Sequence, residues 1–117
     1  PLFKGKSCCF LYASNKEIKE NPEKIAALVR AYKAADDWIA KNPEEAAKIE
    51  VDKKYVSTTD VKLVTELIKN YDFQYTTDAA KEDVKYFVGQ LNKTGFLKKD
   101  TDPEKFANDV YYDASGK

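Results

Sequence analysis

Apolar residues recur at helical spacing along most of the chain, but one short run near the N-terminus is apolar at every position. Residues 8–13 read Cys-Cys-Phe-Leu-Tyr-Ala. A continuous apolar run of this length is typical of a strand that is buried on both faces. We expect a strand over 8–13 whose neighbours come from outside this sequence, because the rest of the chain predicts helices.

Three helix starts share one pattern, in which Asn or Asp is followed by Pro and Glu at 21–23, 42–44 and 102–104. The first side chain suits the N-cap, proline suits the first helical position, and the carboxylate meets the positive end of the helix dipole. Ser14 and Thr77 are further N-cap candidates. The predicted helices lie near 15–20, 22–41, 43–50, 60–70, 78–94 and 103–109.

Two of these helices carry more detailed predictions. Gly95 follows the helix over 78–94 and predicts a Schellman cap in which Phe96 folds back on Leu91. The long helix over 22–41 has a predicted buried stripe, and Tyr32 and Trp38 on or beside it are expected in the core. The stripe consists of Ile25, Leu28, Val29, Tyr32, Ala35 and Ile39. The fold class is therefore mainly α, with one or two short strands.

The balance of charged residues argues against one class of partner, nucleic acid. The 117 residues carry 20 basic and 20 acidic side chains, and Arg30 is the single arginine. A nucleic-acid binder needs a basic surface that releases counterions, and arginine is the side chain that best recognises phosphate and guanine. We therefore expect no nucleic-acid partner.

The chain has no His, and its two cysteines, Cys8 and Cys9, are adjacent. There is no imidazole for a Ser-His or Cys-His nucleophile, and adjacent cysteines do not have the spacing of a zinc or redox motif. We predict no metal, no cofactor and no catalytic residue. The cysteines are interpreted as thiols packed in a core, because free Cys is among the most buried residue types.

The sequence begins with Pro rather than Met, and no apolar run is long enough to span a membrane. We expect the chain to be processed, or to be part of a longer protein.

The order of these elements resembles a known family. The residues that carry the resemblance are the Ala-Ser-Asn-Lys-Glu-Ile sequence over 13–18, the two Asn-Pro-Glu starts, the Ala-rich helix that ends in Asp-Asp-Trp-Ile over 36–39, and Thr-Gly-Phe-Leu over 94–97. This series is similar to the C-terminal region of solute-binding proteins of ABC importers. The closest group is the nitrate, sulfonate, taurine and thiamine-pyrimidine-precursor type.

The resemblance implies a fold and a site. Residues 1–117 would be the C-terminal portion of a two-lobed α/β protein of the type II periplasmic-binding-protein fold, with the strand over 8–13 returning to the first lobe. Such proteins bind a small solute between the lobes. The ligand-binding candidates in this segment are Ser7, Lys6 and Cys8, beside the expected hinge.

The implied function is capture of a small sulfonate-, nitrate- or pyrimidine-like solute and its delivery to ABC permease subunits, without catalysis. The location would be extracytoplasmic, in the periplasm or lipid-anchored at the bacterial cell surface through an anchor outside this segment. Self-association of the segment is a further expectation. Two alternatives stay open: a thiamine-pyrimidine biosynthetic enzyme of the same fold, and a free-standing helical interaction domain. The absence of His argues against the enzyme, whose motif combines histidine with a cysteine cluster.

Overall fold

The computed structural model of the protein describes residues 4–73 and 77–114. These residues form six helices, and none of them forms a β-strand. Every helix begins and ends within two residues of its predicted range. The helices are α1 (Asn15–Glu20), α2 (Pro22–Lys41), α3 (Pro43–Asp52), α4 (Val61–Lys69), α5 (Thr77–Thr94) and α6 (Pro103–Val110).

The helix starts agree with local capping chemistry, though not always through the expected bond. Oδ1 of Asp102 accepts from the backbone N–H groups of Glu104 and Lys105 at 2.8 and 3.1 Å, so this cap is confirmed. Asn42 makes no such bond; its Nδ2 instead donates to the carbonyl of Trp38, at the end of the preceding helix, at 2.8 Å. The side chain of Asn42 therefore caps the end of α2 rather than the start of α3.

The predicted cap at α1 is present, because Oγ of Ser14 accepts from the backbone N–H of Glu17 at 3.1 Å. At the start of α4, Oδ1 of Asp60 accepts from the N–H of Leu63 at 3.1 Å, a cap that was not predicted. The predicted cap by the side chain of Thr77 lies outside the side chains that the structure describes.

The C-terminus of α5 is a Schellman motif. Gly95 has a φ of 76°, in the left-handed region that favours glycine. The N–H of Phe96 donates to the carbonyl of Leu91 at 3.0 Å, and the N–H of Gly95 donates to that of Asn92 at 3.2 Å. The predicted backbone closure is confirmed. The ring of Phe96 is nevertheless 78% exposed, so the expected apolar contact adds little.

The chain divides into two compact units, and each is described by itself. The second unit, Ala27–Gln74, contains most of α2 together with α3 and α4. Helices α3 and α4 pack against each other around an apolar cluster. Its buried members are Ala46, Ala47, Val64 and Ile68.

The first unit combines Pro1–Ala26 with Tyr75–Lys117. Here α5 packs against α6, with Val88 and Ala107 buried. Nδ2 of Asn92 donates to the carbonyl of Thr101 at 2.7 Å, which secures the loop between these helices. Unlike the second unit, this one also buries a carboxylate, Asp83, at 1% exposure.

The predicted burial of the α2 stripe is wrong in part. Ile25 is buried, but Leu28, Tyr32 and Trp38 are 43%, 54% and 41% exposed. Helical spacing shows which residues share a face, whereas burial also requires a neighbouring element to cover that face. Residues 4–73 and 77–114 leave much of the apolar face of α2 exposed.

The segment over 8–13 is also not a strand in the structure. Its backbone forms no hydrogen-bonded ladder within residues 4–73 and 77–114, and Phe10, Leu11 and Tyr12 are 43%, 48% and 93% exposed. A strand exists only beside a hydrogen-bonded neighbour. The prediction that its neighbours lie outside this sequence stays a prediction.

Candidate functional site

The carboxylate of Asp83 is the centre of the site that contains the predicted ligand-binding residues. Oδ1 of Asp83 accepts from the ammonium group of Lys6 at 2.9 Å, and Oδ2 accepts from the backbone N–H of Ser7 at 2.7 Å. The two bonds join residues that are 77 and 76 positions apart in sequence. We call this set of contacts the Asp83 latch, because it ties the N-terminal segment to α5.

Sequence reasoning missed Asp83, although a signal was present. The apolar residues of α5 include Ala80, Val84 and Phe87, and Asp83 lies three positions after the first and four before the last. Residues three and four apart on a helix share one face. A carboxylate in an apolar stripe is expensive to bury unless it is paired, so its position alone predicts a specific partner.

Aromatic rings contact the N-terminal segment at two places. Nζ of Lys6 lies 4.9 Å from the centre of the Tyr86 ring, a cation–π distance. The ring of Phe10 meets Phe87 edge-on, with the centroids 6.2 Å apart and an interplanar angle of 87°. The segment is therefore held at two places, by charge at Lys6 and Ser7 and by an aromatic contact at Phe10.

The three predicted ligand-binding residues are placed differently. The latch brings Lys6 and Ser7 together on Asp83, with both residues partly buried. The positive charge of Lys6 is paired with a buried carboxylate, and Ser7 contributes its backbone rather than its hydroxyl. Cys8 is exposed. The geometry accounts for Lys6 and Ser7 as a structural anchor, and their role toward a ligand stays a proposal.

The prediction that the cysteines are packed in a core is wrong. Cys8 and Cys9 are both free thiols and both exposed. The segment that carries them lies along α5 with no second layer over it among the described residues. The hydrogen bond between the two side chains raises the pKa of Cys9, and the charge of Cys8 raises it further. Cys9 is therefore less readily ionised than an isolated thiol, so less of it is present as the nucleophilic thiolate.

The neighbouring carboxylates Asp36 and Asp37 on α2 do not form an acid–base pair. Adjacent helix positions point about 100° apart, so the two groups cannot share one proton in line. Burial raises the pKa of Asp36, and the charge of Asp37 raises it further. Both residues are partly buried.

Concave surface is limited in the second unit. One open cavity of about 270 Å³ is lined by Ile39, Pro43, Ile68, Tyr71 and Phe73 among others. A second, of about 370 Å³, lies between charged side chains of α3 and α4, including Glu44, Lys48 and Lys62. Enclosed small-molecule sites bury most of their ligand. These open depressions do not have that shape.

Within residues 4–73 and 77–114, no three side chains of His, Cys, Asp or Glu come together as a metal site. Over the same residues, no helix combines the length and the apolar composition that crossing a bilayer requires.

One comparison with known proteins gives a match. Residues 7–46 match the family model described as NMT1/THI5 like. This is a family of solute-binding proteins of ABC importers for nitrate, sulfonate and taurine. The match spans about a third of the chain, from Ser7 in the latch to Ala46 in the α3–α4 core. No curated protein and no solved structure matches the chain.

The matched family indicates a class of function. Its members are mainly solute-binding proteins, which are not enzymes and which work outside the cytoplasm with ABC permeases. The matched residues include the whole extended segment over 8–13, α1 and α2. They do not include Lys6 or Asp83, so Ser7 is the one latch residue inside the match.

Proposed function

We propose that the chain is the C-terminal part of an extracytoplasmic solute-binding component of an ABC importer, with a two-lobed type II periplasmic-binding-protein fold. The match over residues 7–46 is the observation that carries this proposal. The protein captures a small sulfonate-, nitrate- or pyrimidine-like solute between its lobes, closes on it and delivers it to the permease. It performs no catalysis, and any attachment to the membrane is through a lipid anchor outside this segment.

Uncovered apolar surface supports the view that further chain packs here. Leu11 and Tyr12 are 48% and 93% exposed on a segment whose backbone has no ladder partner within the described residues. Exposed apolar patches on soluble proteins mark interaction surfaces. A sheet supplied by the first lobe would pair with this segment and cover both of its faces.

The charge of the latch constrains how this segment contributes to solute binding. Ser7, Lys6 and Cys8 remain the candidate contacts, but the ammonium group of Lys6 already pairs with Asp83 at 2.9 Å. A buried carboxylate opposes a second anion at the same place. We therefore expect an anionic solute to draw its main positive contacts from outside these 117 residues, with Ser7 and Cys8 contributing hydrogen-bonding groups at most.

A biosynthetic enzyme of the same fold is the second candidate, because the description of the matching family joins both kinds of protein. Such an enzyme would need its histidine and most of its cysteine cluster outside this sequence, which contains no His and two Cys. The two candidates differ in one measurable way, since an enzyme consumes the pyrimidine precursor that a binding protein returns unchanged.

Calorimetry tests the proposal directly. Nitrate, taurine and an aminopyrimidine are titrated into the 117-residue chain and, separately, into the product of the complete reading frame that contains it. We expect micromolar or tighter binding of one solute by the complete product and none by the 117-residue chain, which supplies part of the cleft. Failure of the complete product to bind any of them, or chemical conversion of the pyrimidine, contradicts the proposal.

A further inference from the structure

The adjacent cysteines present two thiols at one place on the surface. Cys8 and Cys9 are both free and both exposed. Their side chains are hydrogen-bonded to each other, so the two sulfur atoms lie close together outside the backbone. Sulfur is a soft donor that prefers soft, thiophilic partners. Two sulfur atoms in this arrangement are able to bind a single atom between them.

The backbone is attached to α5 on both sides of this pair. On one side, the N–H of Ser7 donates to Oδ2 of Asp83 at 2.7 Å. On the other side, the ring of Phe10 meets that of Phe87 edge-on, with the centroids 6.2 Å apart. The two residues between these attachments are therefore restrained at each end while their thiols stay exposed. Restraint before binding lowers the entropy that binding costs.

A direct disulfide between the two thiols is sterically unfavourable. Consecutive Cα atoms are about 3.8 Å apart, whereas the Cα atoms of an ordinary disulfide are roughly 4.4–6.8 Å apart. Closing the bond between neighbours therefore stores strain, which makes the bond easy to reduce. An atom placed between the two sulfur atoms lengthens the link and relieves this strain. The geometry of the pair thus favours a bridging atom over a sulfur–sulfur bond.

The number of ligands and their protons select the kind of bridging atom. A divalent metal ion binds thiolates, so it must displace both protons, and the hydrogen bond from Cys8 raises the pKa of Cys9. Such ions also take further protein ligands, and no third metal-ligating side chain joins the pair within residues 4–73 and 77–114. A three-coordinate centre that already carries one carbon substituent needs only two sulfur ligands. If it also carries oxygen, that oxygen takes up both thiol protons.

We propose that Cys8 and Cys9, restrained from both sides, form a dithiol site for a monosubstituted oxide of a trivalent, thiophilic element, represented by an organic arsenic(III) oxide. Two S–H bonds and the arsenic–oxygen bond break, two arsenic–sulfur bonds form, and the oxygen leaves with both protons as water. Arsenic stays trivalent, so the step needs no oxidant or reductant.

This site lies beyond the proposed function, because it involves neither the transported solute nor the permease. It also depends on the state of the segment that carries it. Consecutive side chains of a β-strand point to opposite faces, so a strand over 8–13 would separate the two sulfur atoms. The site exists in the unpaired form of the segment that the structure describes, and its occupancy would hold the segment in that form.

Mass spectrometry of the reduced 117-residue chain with phenylarsine oxide tests the site. We expect one phenylarsenic group per chain, with the loss of two hydrogens, and an adduct that survives excess 2-mercaptoethanol but is removed by 2,3-dimercaptopropanol. Cys8→Ser and Cys9→Ser should each bind about 10²–10⁴-fold more weakly, because a single thiol loses the second, intramolecular bond. Two groups per chain, an adduct that links two chains, or a single-cysteine variant that binds as tightly overturns the proposal.

A second set of variants separates a restrained site from simple adjacency in sequence. We expect Asp83→Ala to weaken phenylarsine oxide binding by about three- to tenfold, because the pair loses one attachment, while alkylation of the thiols by iodoacetamide keeps its rate. The control Glu82→Gln, on the same helix, should change neither. If Asp83→Ala does not fold, Phe87→Leu replaces it.

Unchanged arsenical binding in the folded variant overturns the role of the attachments, and so does an equal loss of alkylation rate, which indicates a general change in thiol reactivity. None of these measurements uses nitrate, taurine or a pyrimidine. Their failure is therefore distinct from a failure of solute binding, which contradicts the proposed function instead.

Discussion

The two units hold their elements together by different physical means. In the second unit, α3 and α4 bury four apolar side chains, among them Ala47 at 0% exposure. In the first unit, the largest fully buried side chain is the carboxylate of Asp83, which holds a segment 76 residues away in sequence. Apolar burial tolerates many partners, whereas a buried charge accepts only a partner of opposite charge at one place. Apolar packing therefore holds α3 and α4 together in the second unit. In the first unit, a buried carboxylate attaches the N-terminal segment to one position on α5.

We expect the largest loss of stability when the Lys6–Asp83 pair in the first unit is broken. Lys6→Met removes the ammonium group that pairs with the buried carboxylate of Asp83 at 2.9 Å, which destabilises by about 3–5 kcal/mol. Asp83→Leu costs less, because Lys6 is partly exposed and its ammonium group can reach water. Chemical denaturation of both variants and of the double variant checks this asymmetry. Equal losses in the two single variants contradict the view that the buried carboxylate is the demanding partner.

The corresponding change in the second unit removes apolar contact. Ile68→Ala deletes a side chain that is 6% exposed in the α3–α4 core and is expected to destabilise by about 2–4 kcal/mol. The matched control is Leu67→Ala on the same helix. Leu67 is 52% exposed, and its loss should change stability by less than about 0.5 kcal/mol. If the control costs as much as the core variant, Leu67 is covered in solution, for example by a second copy of the chain.

A smaller effect distinguishes two of the three Asn/Asp-Pro-Glu helix starts. Asp102→Ala in the first unit loses two backbone bonds at the start of α6 and is expected to destabilise by about 1 kcal/mol. Asn42→Ala in the second unit loses one bond to the carbonyl of Trp38 and no cap bond, so its cost should be lower. Thermal unfolding of both variants decides the comparison. A larger loss for Asn42→Ala would show that the bond at the end of α2 contributes more to stability than the cap at the start of α6.

The smallest effect is electrostatic and depends on pH. Burial, followed by the charge of Asp37, raises the pKa of Asp36 in the folded state. A carboxyl whose folded pKa lies above its unfolded value binds protons more tightly when folded, so stability falls as pH rises through that range. Asp36→Asn should therefore raise the melting temperature at neutral pH, and the gain should vanish below the ordinary pKa of an aspartate. A variant that is less stable than the unchanged chain at neutral pH contradicts this sign.

Local structure could be predicted well because its causes are local. Asp102, Ser14 and Asp60 cap helices through hydrogen bonds within three residues, and Gly95 ends α5 through its own backbone conformation. Such interactions depend only on residues that are close together in the sequence. The observed bounds of all six helices lie within two residues of the predicted ones.

Burial could not be predicted to the same extent. Leu28 and Tyr32 share the apolar face of α2 with Ile25, yet only Ile25 is buried. Cys8 belongs to a wholly apolar run and is exposed. Periodicity shows which side chains lie on one face but not whether another element covers that face. The family resemblance supplied a reason for the uncovered surface, and residues 7–46 match the corresponding family model.

For this protein, the sequence by itself determined where the helices begin and end, since caps, prolines and a glycine act within a few residues. Only the tertiary structure decided that Lys6 and Ser7 meet Asp83, because that contact closes a loop of more than seventy residues. The physical reason is the buried charge. A carboxylate on an apolar helix face must find a cation and an N–H group when the chain folds, and no local pattern specifies which ones.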